Sequence, residues 1–120
     1  MPVRVEGIPE TIANITKDIE DHVRLLGVSL FQALVSGTPV DTGYARGNWL
    51  IDFGRESHRT IGSRESPPGV PSAGQVDAWR IDQGNLVFHN SVEYIVYLDA
   101  GSSAQAPQGI VDPAIAAAVR

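Results

Sequence analysis

Eight apolar residues, Ile8, Ile12, Ile15, Ile19, Val23, Leu26, Leu30 and Leu34, follow one another at intervals of three or four. An α-helix, with 3.6 residues per turn, brings such positions onto one face. Pro9 and Glu10 suit a first turn, and Gly37-Thr38-Pro39 supplies a glycine stop and then a proline that cannot continue the helix. The spacing therefore predicts a helix from Ile8 to Val35. About 28 residues at about 1.5 Å each make a rod of about 42 Å. That exceeds the diameter expected for a domain of 120 residues, so part of the rod is expected to lean on another chain. Val28, Phe31 and Val35 widen the apolar stripe toward its end, either as a second packing face or as one wide core face.

A chain of 12.9 kDa buries about two-thirds of its unfolded surface, enough for a single domain over residues 1–120. With no cysteine, disulfides, thiol nucleophiles and cysteine-based metal sites are all excluded. No apolar run approaches the roughly 20 residues of a membrane span, and no secretory apolar core follows Met1–Val5, so a non-membrane protein retained in the cell that makes it is expected. The net charge of −5 argues against a domain that grips the phosphate backbone. Eight of the nine basic residues are Arg, and five of the nine fall within residues 41–80, a pattern that suits interfaces with proteins.

Trp49, Ile51 and Phe53 alternate in Asn48–Phe53, which predicts a half-buried strand. Trp79–Asp82 and Leu86–His89 flank Asp82-Gln83-Gly84-Asn85 and read as a hairpin, so three antiparallel strands are expected, or four at most. Tyr94, Tyr97 and Leu98 are spaced for a short helix, with Tyr-Ile-Val-Tyr also compatible with a strand. Asp112-Pro113 reads as an N-cap and first-turn proline for a last helix, Ala114–Val119, which is too short to persist unless docked. The expected class is α+β: the long helix packed on a small antiparallel sheet, with short C-terminal helices and a long loop.

That loop, residues 57–78, holds ten Gly, Pro or Ser in 22 residues. Loops of this length in compact domains are mostly functional or disordered. It is either a floppy surface segment or an arm that orders on assembly, carrying Arg59, Arg64, Pro67, Pro68, Val70 and Pro71 to a neighbour. There are no internal repeats.

Few residues suggest chemistry. Asp41-Thr42-Gly43 is also the catalytic triplet of aspartic proteases, in which two such carboxylates share a proton, so a dimeric hydrolase using Asp41 is the alternative from another class. The triplet here follows a helix, and no all-β pattern surrounds it. A turn is the favoured reading, with Asp41 in an Asx turn, Gly43 at positive φ, and Arg46 paired with Asp41. Asp18 and His22 share a helix face at a spacing that suits an exposed pair better than a metal site. Asn14-Ile15-Thr16 is a formal glycosylation sequon. Nucleophile-elbow, phosphate-loop and dinucleotide glycine patterns are missing from the sequence. No catalytic residue, metal or cofactor is assigned.

Two segments nonetheless resemble a known family. Thr38-Pro39-Val40-Asp41-Thr42-Gly43-Tyr44-Ala45-Arg46-Gly47-Asn48 and Asn90-Ser91-Val92-Glu93-Tyr94-Ile95-Val96-Tyr97-Leu98-Asp99-Ala100-Gly101, with Gln105-Ala106-Pro107 after it, are similar to the tail-completion, or neck, family of tailed bacteriophages. The order of elements follows that family over about residues 8–118. Asp99 stands where Glu is common, and the last helix is short.

The resemblance implies a structural virion protein, made in the bacterial cytoplasm, that forms a homo-oligomeric ring at the head–tail junction. A hexamer is expected, with a dodecamer as the alternative. Its partners are then the neighbouring head–tail connector and the tail-terminator or tail-tube proteins, and DNA passes through the lumen without sequence-specific binding. Within the family, a tail-terminator ring that caps the tube is the alternative role. The resemblance makes Pro39, Asp41, Thr42, Gly43 and Arg46 a structural turn, and groups Asn90, Tyr94, Tyr97, Asp99, Gly101, Gln105 and Pro107 as a second motif.

Overall fold

The structure is a computed structural model that describes residues 8–41 and 43–119. Its axis is helix α1, Ile8–Gly37, followed by the single turn α2, Tyr44–Gly47. Strand β1, Leu50–Phe53, pairs antiparallel with β2, Leu86–His89, in the register Leu50 to His89, Ile51 to Phe88, Asp52 to Val87 and Phe53 to Leu86. Two short helices, α3 (Ile95–Asp99) and α4 (Val111–Ala118), complete the chain. The class is α+β, with the long helix against a small antiparallel sheet.

Alternation along the strands puts Ile51, Phe53, Leu86 and Phe88 on the face that meets α1. There they join Phe31, Leu34 and Val35, and the Phe31 and Phe88 rings meet edge to face at 5.2 Å. Gly27 permits the approach: a Cβ there would lie 2.9 Å from Leu86 Cδ2 and 3.2 Å from Val76 Cγ1. From the other side Ile110 and Ala114 bring α4 onto the helix, so one core serves α1, both strands, α3 and α4.

The sheet has two strands rather than three or four. Residues 79–83 do not pair with β2 but run as coil into a 3-10 turn at Ile81–Gln83. The polar groups a third strand would use are engaged elsewhere. Arg24 of α1 donates to the Trp79 carbonyl at 2.7 Å, Glu20 accepts from the Ile81 N–H at 2.8 Å, and the Trp79 indole donates to the Gly84 carbonyl at 2.9 Å. With these groups held, the ladder cannot extend. Trp79 is buried all the same, so its hydrophobic signal was sound and only its backbone conformation differs.

The two halves of α1 differ. The second half buries Phe31, Leu34 and Val35 in the core, whereas Ile12, Ile15 and Ile19 are 58%, 53% and 46% exposed. The helix extends past the body, and the molecule measures 73 × 27 × 19 Å. α1 also ends without a left-handed glycine. Gly37 is its last residue, and the stop comes from Thr38, whose hydroxyl donates to the Leu34 carbonyl at 2.7 Å, followed by Pro39.

Candidate functional site

Three groups finish the open end of α1. The Thr38 hydroxyl, already bonded to Leu34, also accepts from the buried Trp49 indole at 2.7 Å. Arg46 of α2 donates from Nε and Nη2 to the Thr38 carbonyl, at 3.1 and 2.7 Å, and from Nη2 to the Ser36 carbonyl at 3.1 Å. A guanidinium is favourable here because unpaired carbonyls gather partial negative charge at a helix C-terminus. The expected Arg46–Asp41 pairing is thus replaced by Arg46 on main-chain carbonyls. Gly43 fulfils the turn assignment at φ 85°, immediately before α2. Asp41 is exposed, Pro39 half-buried, and Thr42 lies outside the described residues.

The second segment folds onto this turn. Gln105 accepts from the Val40 N–H at 3.0 Å and donates to the Val40 carbonyl at 3.1 Å. Asn90 donates to the Ala45 carbonyl at 2.8 Å and accepts from the Val92 N–H at 3.1 Å. Asp99 Oδ1 accepts from the N–H groups of Ile110 and Val111 at 3.0 and 2.9 Å and so caps α4. This corrects the expected cap: Asp112 lies inside the first turn, while Ile110 holds the cap position and brings no capping side chain. Gly101, at φ 90°, and Pro107 meet where a Cβ on the glycine would lie 2.5 Å from the Pro107 carbonyl oxygen. Gly109 is equally constrained, with a Cβ 2.2 Å from the Asp99 carbonyl oxygen. Tyr97 and Val96 face outward, 68% and 71% exposed.

Residues 61–68 lie along this junction. Asn48, fully buried, accepts from the Ile61 N–H at 2.6 Å and donates to the carbonyls of Ile61 at 3.0 Å and Tyr44 at 2.8 Å. Pro68 covers Gly47, where a Cβ would lie 2.5 Å from Pro68 Cγ. Arg64 stacks over the Tyr94 ring at 4.9 Å and approaches Glu93 at 3.7 Å. Burial raises the Tyr94 hydroxyl above its ordinary range, against the pull of Arg64. A cleft of about 450 Å³ opens here between Pro39, Asp41, Arg64, Tyr94, Ser103 and Gln105. Pro71 is half-buried, Pro67 and Arg59 are exposed, and Val70 is 76% exposed.

One cluster escaped sequence reading. On the outer face of the sheet, Asp52 accepts from His89 Nε2 at 2.6 Å, from the Ser57 N–H at 2.8 Å and from Arg59 at 3.2 Å. Burial pushes the Asp52 carboxyl up, but the hydrogen bonds from Ser57, Arg59 and His89 outweigh it and hold the group at about 2. An ionised carboxylate can only accept, so His89 Nε2 is the donor, which leaves Nδ1 to find a partner elsewhere. That Nδ1 is buried without a hydrogen-bond partner among the described residues. That Asp52 and His89 each alternate with the core-facing residues of their own strand was visible in the sequence, but their pairing depends on the register, which was not.

Among the described residues no group of three His, Asp or Glu side chains is placed to hold a metal ion, and no helix is long and apolar enough to cross a membrane. The motif residues instead form a polar clasp that ties the end of α1, α2, residues 61–68 and the start of α4 into one unit. No protein-family model, no curated protein and no solved structure matches the chain.

Proposed function

We propose that the chain is a structural ring subunit of the neck of a tailed bacteriophage, acting in tail completion between head and tail. One observation carries this reading. The two segments that resemble the family, some 50 residues apart, meet through Gln105–Val40 and Asn90–Ala45, and their polar side chains engage main-chain groups of the same fold. A catalyst needs polar groups that converge on a substrate, whereas an assembly subunit needs a stiff body that presents surfaces.

Two further features agree. The elongated shape and the exposed half of α1 leave apolar surface for neighbours. A net charge of −5 suits a lumen through which DNA slides without being held. In this reading six copies form the ring, between a connector on the head side and a terminator or tube protein on the tail side.

The test is an early stop codon in the gene, followed by electron microscopy of the particles made. Filled heads and finished tails that fail to join are the expected result. Tails of irregular length would assign the terminator role instead, because a ring that caps the tube limits its growth. Normal joined particles would overturn the proposal.

A further inference from the structure

The apolar ladder of α1 is one continuous stripe with two fates. Val23, Leu26, Leu30 and Leu34 form the floor of a groove of about 670 Å³ whose walls are β2, α3 and α4. Ile12, Ile15 and Ile19 continue the stripe beyond the body with nothing over them among the described residues. The groove is also open, and its outer rim is formed by Ile115, 44% exposed, and Val119, 67% exposed.

Three observations choose the occupant. First, residues 11–16, Thr-Ile-Ala-Asn-Ile-Thr, carry no charge, and of the two charges before Ile19 Lys17 lies on the opposite face, paired with Asp21, and Asp18 at the edge, so the Ile12–Ile15–Ile19 stripe enters an apolar groove without burying an ion. Second, α1 is unbroken from Ile8 to Gly37, so the exposed stripe cannot fold back into the groove whose floor is the same helix. Third, the chain exposes 7853 Å² where a compact monomer of its mass exposes about 6,300 Å². The difference is about twice the roughly 800 Å² that one partner contributes to a standard interface, which is what a copy that offers both a stripe and a groove would expose.

We infer that the groove receives residues 11–19 of α1 from a second copy of this chain. The mode is helix in groove, with anchors at i, i+3 and i+7. Stripe and groove are different surfaces and every copy carries one of each, so copies can join head to tail, and such a contact closes into a ring if the rotation per step allows it. The inference deepens the ring proposal and rests on it for ring closure alone.

The experiment is light scattering on the full chain at low and high micromolar concentration, with Ile15→Asp as the stripe variant and Ile115→Asp as the groove variant. Val119→Asp is the second groove variant should Ile115→Asp lower the melting temperature. The wild type is expected near 77 kDa, six copies of 12.9 kDa, with each variant assembling at least about 30-fold more weakly at unchanged helix content. An equimolar mixture of the two variants is expected to form a 26 kDa pair that neither forms alone, since the mixture restores one intact stripe and one intact groove. A wild-type dimer lost in both variants would support the contact and count against the ring. Variants that assemble like wild type, or a wild-type chain monomeric at every concentration, would overturn the contact, whereas the stop-codon experiment judges the neck role independently.

Discussion

Gln105 does with one side-chain amide what a strand does with a peptide unit: it accepts from the Val40 N–H and donates to the Val40 carbonyl. Each such bond contributes about 1 kcal/mol net. Gln105→Ala is therefore expected to lower stability by about 1–2 kcal/mol in urea unfolding. Gln105→Glu should be no better than alanine, because the carboxylate oxygen replacing the NH2 faces the Val40 carbonyl as a second acceptor. Asp52 gives a pH signature. Its carboxyl is held at about 2, below its ordinary value of 3.8, so it contributes stability that is complete above about pH 5 and disappears as pH falls through 2. The side chain is 18% exposed, and the linkage corresponds to about 2 kcal/mol. Urea unfolding between pH 5 and about 2 should show this loss, and Asp52→Asn should flatten that part of the profile while lowering stability at neutral pH.

At the scale of elements, α4 depends on a residue far from it in sequence. Eight residues are too few for an independent helix, and its N-terminal N–H groups are capped by Asp99 rather than by Asp112. Asp99→Ala is expected to cost about 1–2 kcal/mol and to raise amide exchange in residues 111–118 more than in α1. The long loop depends on Gly47 in a similar way. Gly47→Ala places a Cβ 2.5 Å from Pro68 Cγ and 2.8 Å from the Pro68 carbonyl oxygen, a clash expected to cost about 1–3 kcal/mol. Limited proteolysis with trypsin should then cut faster after Arg59 and Arg64, while an unchanged rate would show that Pro68 does not hold the segment. The sequence identified α1 by period, the region of α3 by spacing with a strand as the alternative, α4 by its Asp-Pro start, β1 by alternation and β2 as a hairpin arm, whereas the single turn α2 was not foreseen. It misread residues 79–82 as a strand because Trp79 and Ile81 carry the same strand-like signal, and only Arg24 and Glu20 of α1 decide what their backbone groups bond to.

At the scale of the whole molecule, the radius of gyration is 18.4 Å, against about 14 Å for a compact domain of 120 residues. Small-angle scattering from Ile15→Asp, diluted to its monomer, is expected near the larger value, and a value near 14 Å would mean that the first half of α1 packs back on the body. The elongation was foreshadowed by the predicted rod of about 42 Å, since helix length is simple arithmetic on residue number. By itself the sequence determined the helix, its apolar face and the left-handed turn at Gly43, because periodicity and backbone sterics act over a few neighbouring residues. Tertiary structure alone decided that Arg46 serves the carbonyls at the end of α1 instead of Asp41, that Asp99 caps a helix 12 residues away, and that His89 meets Asp52 across the sheet. The physical reason is common to all three. A polar side chain takes whichever backbone group or charge the finished fold leaves unpaired beside it, and which groups those are follows from long-range packing rather than from spacing along the chain.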